Sequence, residues 1–279
     1  MTSDPWHRMG VSLMCPQCTV SEREHPGTMT PATTNPLKII HCSACRRNFT
    51  RLDAVAHPNL FIRWAAIATH MEVGQVDLRP GDYATVKLRS QFDVVGPLVT
   101  TARGPILAKA SFAWDGSLDM YTSRSPGNPD DQPIGVAWLV YGIQASDMVP
   151  GWWLQLFAAI QSAADLRAKP AIIDYAGAFE LFVETVLTDT LTTKYDSTVA
   201  AHILNRTQAV TERVRMPLEL ATGHQLTEDH AIYDAWTTKV RKVRNALAHG
   251  GGPPLNPGDA EEAHQATIAA MRWIADRLP

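Results

Sequence analysis

Residues 232–250 read Ile232-Tyr233-Asp234-Ala235-Trp236-Thr237-Thr238-Lys239-Val240-Arg241-Lys242-Val243-Arg244-Asn245-Ala246-Leu247-Ala248-His249-Gly250. Apolar side chains at 232, 233, 236, 240, 243 and 247 follow the three–four spacing that lays one stripe along an α-helix. Thr227 is the expected N-cap. Gly250-Gly251-Gly252-Pro253-Pro254 ends the run, since glycine takes the left-handed cap and proline cannot continue a helix. The expected helix spans 228–249. Working outward, helical periodicity holds from Pro150 to the end and predicts helices at 151–168, 171–194, 197–214 and 259–278 as well. The Lys169-Pro170 step separates the first two. Residues 147–279 therefore read as an all-α bundle.

Upstream the period shortens. Thr85–Leu88, Phe92–Val95, Ile106–Trp114, Leu118–Tyr121 and Val136–Tyr141 read as strands, with Gly, Pro and Asp between them. Asp115-Gly116 between β-type residues marks a hairpin, and the proline-rich stretch 125–133 a surface loop. Asp115, Asp119, Asp130 and Asp131 fall at turns, where Asp is favoured for local reasons. The expected fold is α+β and multidomain: a zinc ribbon over 1–52, a small β-rich domain over 53–146 and the helical bundle over 147–279.

Whole-chain properties set limits. With 279 residues, 45% hydrophobic and 19% charged, the chain is long enough for two or three cores. A formal charge of −3 means that any nucleic-acid surface must be a local patch. No apolar signal-like run opens the sequence. The stretch Trp152 to Leu166 is too short and too polar to span a bilayer. The expectation is a cytoplasmic protein with no membrane partner.

All four cysteines form two pairs, Cys15-Pro16-Gln17-Cys18 and Cys42-Ser43-Ala44-Cys45. A two-residue gap lets both thiolates of a pair meet one ion, and four thiolates close a structural tetrahedral Zn2+ site. The segment resembles a zinc ribbon. A segment this small cannot build a core, so metal binding would supply its folding energy. Lys38, Arg46, Arg47 and Arg51, with no acidic residue between His25 and Leu52, also outline a basic face suited to phosphates. A structural clip and a nucleic-acid contact both fit these residues. His7, His25, His41 and His57 are spare candidate ligands that four cysteines make unnecessary.

Arg244-Asn245, then three residues, then His249-Gly250, resembles the R-x4-6-H motif of HEPN ribonuclease domains. The position in the penultimate helix of a five-helix bundle is also similar, and the resemblance covers about 130 residues. It implies a metal-independent endoribonuclease with Arg244, Asn245 and His249 at a composite site across a homodimer interface. It also implies an RNA substrate; ribbon, β-rich domain and bundle together resemble microbial defence or toxin proteins, which implies an effector with a regulatory protein or a phage-derived trigger as partner. Many HEPN-like domains carry a polar residue on an earlier helix near the motif, and Glu180 stands in the corresponding place, where it could orient Arg244. Its spacing equally allows the water-exposed edge of the apolar stripe.

The residue types suit RNA cleavage. The 2′-hydroxyl is an internal nucleophile, so the site must hold a phosphate and move protons. An arginine grips two phosphate oxygens in a fork that lysine cannot copy, and a histidine serves as general acid or base near neutral pH. At about 100° per residue, Asn245 and His249 share a helix face, whereas Arg244 and His249 lie roughly 140° apart. A second copy could supply the missing alignment. The plainer reading has Lys239, Arg241, Lys242 and Arg244 complementing the helix dipole, with His249 as a capping group. Two further functional readings stay open: a non-catalytic HEPN interaction module, and a zinc-ribbon regulator that binds nucleic acid.

Overall fold

The stretch Gly135-Val136-Ala137-Trp138-Leu139-Val140-Tyr141-Gly142-Ile143 is apolar on both alternating faces, so a strand formed from it must be covered on both sides. The computed structural model provides that cover; it describes residues 7–10, 15–17, 35–42, 45–88, 92–102, 107–112, 117–123, 133–144, 148–252 and 254–279. The chain is mixed α/β. In order, the elements are β1 (His7–Gly10), β2 (Ile40–His41), β3 (Asn48–Phe49), α1 (Arg51–Val55), α2 (Leu60–Ile67), β4 (His70–Leu78), β5 (Tyr83–Lys87), β6 (Phe92–Ala102), β7 (Leu107–Phe112), β8 (Ser117–Ser123) and β9 (Ile134–Gln144). There follow α3 (Gly151–Ala164), α4 (Ala168–Lys194), α5 (Ser197–Arg206), α6 (Val210–Arg213), α7 (Met216–Thr222), α8 (His230–Trp236), a π-turn (Thr237–Arg241), α9 (Lys242–Ala248) and α10 (Pro257–Ala275).

An antiparallel sheet of order β1-β4-β9-β6 has β9 inside it, and a three-stranded antiparallel sheet has the order β5-β8-β7. Val136, Trp138 and Val140 of β9 share a core with Leu118 and Met120 of β8. Tyr141 and Ile143, from the opposite face, join the core of the helices. Strand β4 has no counterpart among the strands expected from sequence. Glu72, Gln75 and Asp77 interrupt its apolar pattern, yet it pairs with β9 along its whole length. The Asp115-Gly116 turn lies outside the described residues, and the strands on either side pair as an antiparallel hairpin, Phe112 opposite Leu118.

The helical core draws on residues from both sides of the sheets. Leu52, Val55, Trp64 and Ile67 from α1 and α2 are buried with Trp152, Trp153 and Phe157 of α3 and with Phe179 and Phe182 of α4. Edge-to-face ring pairs lock them together: Trp64 with Phe157 and Trp152 with Phe182, both at 5.0 Å. The Trp153 indole donates to the Ile67 carbonyl at 2.9 Å. Arg51 is fully buried rather than part of a basic face. Its guanidinium donates to the carbonyls of Ala66 and Ala68 at the end of α2 and lies over the Trp153 ring, where a cation complements the helix dipole.

Helix boundaries depart from the sequence expectations for local reasons. The break between α3 and α4 falls at 165–167. Leu166 takes the left-handed conformation (φ 60°), and the amides of Leu166 and Arg167 bond back to Ala163 and Ser162, a Schellman closure. Pro170 instead sits in the first turn of α4, where a missing N–H costs nothing. The expected 197–214 helix divides at Thr207, whose hydroxyl donates to the Ile203 carbonyl. Asp229, not Thr227, caps α8 through the Ile232 amide.

His264 on α10 is fully buried, its Nε2 donating to the Val55 carbonyl at 3.1 Å. Burial, and then the nearby Arg63 guanidinium, push its pKa down to about 3. The unfolded imidazole takes its proton near pH 6.5, so acid favours the unfolded chain, and stability falls as pH drops below that value. Urea unfolding midpoints of the wild type should fall between about pH 7 and pH 5, while a His264→Gln variant shows a flatter profile over that interval. Equal slopes would refute a neutral buried His264. At the other junction, Leu166→Gly should raise the unfolding free energy by about 0.5–1 kcal/mol, because glycine adopts φ near +60° without a Cβ clash.

Candidate functional site

The cysteine cluster is assembled by a short turn. The Arg46 amide donates to the Cys42 carbonyl and the Cys42 amide to the Arg47 carbonyl, both at 2.9 Å, with Arg46 left-handed at φ 60°. This folds Cys45 back beside Cys42, and Cys15 joins them, so that the three sulfurs lie within 4.8 Å of one another. Cys18 lies outside the described residues. Ile40, Cys42 and Phe49 form a miniature core under the cluster. Cys15 Sγ and Cys45 Sγ are 3.7 Å apart. Tetrahedral thiolates at about 2.3 Å from a zinc ion would be separated by about 3.8 Å, so the spacing fits a bound metal. His41 is exposed, and its Nδ1 is hydrogen-bonded to the Asn48 side chain at 3.1 Å. Lys38, Arg46 and Arg47 are exposed beside the cluster. With Arg51 buried, the basic face is smaller than the sequence alone implied.

The second site lies among the helices. The chain from α8 to α9 runs as one continuous rod through the π-turn, which buries Trp236 and Val240. The Gly250 amide bonds to the Leu247 carbonyl and the Gly251 amide to the Ala246 carbonyl, with Gly250 at φ 72°. The glycine run thus closes the helix in a Schellman motif, with His249 as its C-cap.

Arg244 and Asn245 line a cleft of about 610 Å³ between α4, the α5–α6 segment and the π-turn. Glu180 lies on the opposite wall, its Oε2 3.9 Å from Arg244 Nη2. The Arg244 Nη1 also donates to the Asn245 side-chain oxygen at 3.3 Å. Both charged groups are about two-fifths exposed, so their attraction is screened and weak. The contact leaves the guanidinium available to a stronger anion. Ile173 is exposed at 45% on the same wall.

His249 is exposed and lies outside the residues that line the cleft. Its amide bonds to the Asn245 carbonyl at 3.2 Å, which puts it one turn, about 6 Å, beyond Asn245 along the same face. The structure thus brings together three of the four site residues singled out in the sequence and sets the fourth at the rim.

Sequence reading missed the rest of the wall. Arg213 is fixed there by an ion pair to Glu184 at 3.1 Å and a bond from its Nε to the Thr207 carbonyl at 2.8 Å. Arg241 also faces the cleft and makes no ion pair among the described residues. Trp236 contributes to the wall as well. Its buried indole N–H has no partner among the described residues. Arg241 could have been found from its helical spacing to Arg244 and Asn245. Nothing in the local sequence links Arg213 to them.

If the thiolates hold a metal, purified protein should carry about one equivalent per chain by elemental analysis. Cys45→Ser should lose it, together with the folding of the 35–50 segment, as read by amide-exchange protection there. Full metal content in that variant would exclude Cys45 as a ligand.

No protein-family model, curated protein or solved structure matches the chain.

Proposed function

We propose that the helical region is an endoribonuclease of HEPN type that works at the Arg244–Asn245 cleft and needs no catalytic metal. The observation that carries this reading is the geometry of Arg244. It is a half-exposed guanidinium in an open cleft, loosely held by Glu180 at 3.9 Å, with Asn245 beside it. In the proposed reaction Arg244 takes two non-bridging oxygens of one phosphodiester in a bidentate fork. The 2′-oxygen forms a bond to phosphorus, the bond from phosphorus to the 5′-oxygen breaks, and a cyclic phosphate and a free 5′-hydroxyl result. His249 supplies the proton for the departing oxygen, and a base or water accepts the proton from the 2′-hydroxyl. Asn245 and Arg241 orient the strand and offset its charge. Because His249 stands at the rim, a homodimer that apposes two such rims would close the site with the second copy's imidazole.

In the N-terminal segment we propose zinc as the bound ion, with Cys18 completing the four thiolates. Its role there is to fold the ribbon, not to take part in the reaction. One observation favours a second reading, a non-catalytic interaction module: His249 is not among the residues that line the cleft.

The two readings separate cleanly. Purified protein incubated with total RNA in EDTA should generate fragments ending in 2′,3′-cyclic phosphate. Arg244→Ala and His249→Ala should each slow cleavage at least about 100-fold with unchanged thermal unfolding. Glu180→Gln should retain activity if the carboxylate only parks the arginine. Persistent cleavage by the His249 variant would overturn the proton-donor assignment.

A further inference from the structure

The apolar stripe that marks the helix before Gly250 is only half used. In an uninterrupted α-helix Trp236, Val240, Val243 and Leu247 fall within about 60° of one another, so all four would meet the core. The structure buries Trp236 and Val240, but no residue of α9 is buried. Val243 reaches only the margin of the core. Leu247 is half-buried and lies against the glycine run, where a Cβ on Gly252 would stand 3.2 Å from its Cδ2.

The π-turn is the reason. Its closing bond runs from the Lys242 amide to the Thr237 carbonyl, five residues back, so it holds one residue more than an α-turn. Everything beyond it lags by one residue, about 100° of rotation and about 1.5 Å of rise. Arg244 and Ala248 thereby take the two positions that Val243 and Leu247 hold in a regular helix. The consequence is visible on α4. Trp236 packs on Phe179 with ring centroids 4.7 Å apart, and Arg244 reaches the next residue, Glu180.

The turn carries a local cost. Trp236 Nε1 and Thr237 Oγ1, at its start, are buried and have no hydrogen-bond partner among the described residues. Thr185, Thr193, Thr207 and Thr222 each donate to the carbonyl four residues back, and Thr237 does not. A buried hydroxyl left unpaired and apolar side chains left half-exposed both weigh toward the regular helix. Little opposes the change. Lys239 ties the turn to Glu262 of α10 at 2.6 Å, but both side chains are half-exposed and the pair is screened. Arg244 meets Glu180 loosely at 3.9 Å. Past α9, a Cβ on Gly250 would meet nothing within 4 Å, so the glycine run has room to take up one residue.

We infer that the rod from α8 to α9 is a register switch for the cleft. In the π register of the structure Arg244 faces α4 and is ready for an anion. In the α register Val243 and Leu247 turn toward α4, the stripe is continuous, and Arg244 rotates off it. An anion in the cleft binds only the first form and so selects it. The effect of the switch on RNA cleavage rests on the nuclease reading; the change of register does not.

The test places nitroxide-labelled p-acetylphenylalanine at Lys242 and Thr188, both exposed, which leaves the cysteines untouched. Pulsed electron resonance then measures their separation in the full-length protein. The wild type should give two distances, since a 100° turn moves a side chain about 5–6 Å from the helix axis by up to about 8 Å. Inorganic phosphate should move the population toward one of them. Deletion of Thr238, which removes the extra residue and keeps Arg244 toward α4, should show that distance alone. Val243→Asn with Leu247→Asn, which makes the α register costly, should show it too. By calorimetry the wild-type Kd for phosphate should exceed that of the asparagine pair by the reciprocal of the wild-type population at that distance without phosphate. A single wild-type distance, equal to that of the deletion variant and unmoved by phosphate, would overturn the proposal. Two distances that phosphate does not redistribute would break its link to the anion. If the deletion variant fails to fold by circular dichroism, the asparagine pair decides. On the nuclease reading both variants should cut RNA at least as fast as the wild type. Intact RNA in every tube, with the distances behaving as described, would sink the nuclease and leave the switch standing.

Discussion

A helix 27 residues long is about 40 Å of backbone, and α4 has more surface than its neighbours cover. Ala171, Ile172, Tyr175, Phe179, Phe182, Val183, Val186 and Leu187 are buried against the core. On the remaining face Ile173 and Leu181 stay 45% and 41% exposed, with Gly177, Glu180 and Glu184 between and beside them. That uncovered strip is the floor of the cleft. The break at Thr207 then turns α6 across one end of it, and the rod from α8 to α9 crosses the other. If α5 had continued as one straight helix to 214, Arg213 would not be tied to the Thr207 carbonyl and to Glu184 as it is. The site is thus a consequence of where the bundle fails to close.

A second constraint ties the segment after the cysteines to the far end of the chain. Asp53 accepts from the amide and hydroxyl of Thr50, the N-cap of α1, in a capping box, and its other oxygen meets Arg272 of α10 at 2.7 Å. Arg63 forms a two-pronged pair with Glu261 of α10, at 2.7 and 2.6 Å. Burial raises the pKa of Glu261, but the hydrogen bonds from Arg63 and Gln265 outweigh it and hold the carboxyl at about 2. His264 adds its bond to Val55. Such pairs contribute modest net stability, because removing charges from water costs much of what their attraction returns. Their effect is directional: α1 and α2 can dock on α10 in one register only, and the cysteine turn is attached directly to α1.

The helix that ends at Gly250 was legible because its stripe, its glycine stop and its cation-rich last turns all agree. The α3–α4 break was misplaced because Leu166 occupies a position where glycine is the usual signal, and Pro170 supplied a false one. Strand β4 was illegible because buried Glu72 and exposed Gln75 and Asp77 break the alternation of apolar and polar residues that marks a strand. Arg51 was counted as a surface cation because a sequence cannot show that the carbonyls of Ala66 and Ala68 are waiting for it. At the cleft, Glu180 was matched to Arg244 through the resemblance that the motif carries, since Arg244 itself lies on a seven-residue helix that follows a π-turn. The π-turn and the return of Arg213 are products of packing between distant segments and left no local trace.

The electrostatics of the cleft bear on how a phosphate would enter. Three guanidinium groups, those of Arg213, Arg241 and Arg244, face two carboxylates, those of Glu180 and Glu184. Glu184 is engaged by Arg213 at 3.1 Å, while Glu180 and Arg244 remain 3.9 Å apart. The first pair has an additional anchor in the Thr207 carbonyl and holds the wall in shape. The second lacks one, and both of its members are open to water. A phosphodiester offers two oxygens at the spacing of a guanidinium fork, so it can replace the looser contact with a charge-assisted bidentate one. Glu180 then returns to solvent at little desolvation cost, because it never left it fully. The unpaired charge of Arg241 makes the same exchange easier, since the entering anion meets a cleft with one more positive charge than negative. A tightly bonded Arg244–Glu180 pair would have opposed that exchange; the loose one permits it.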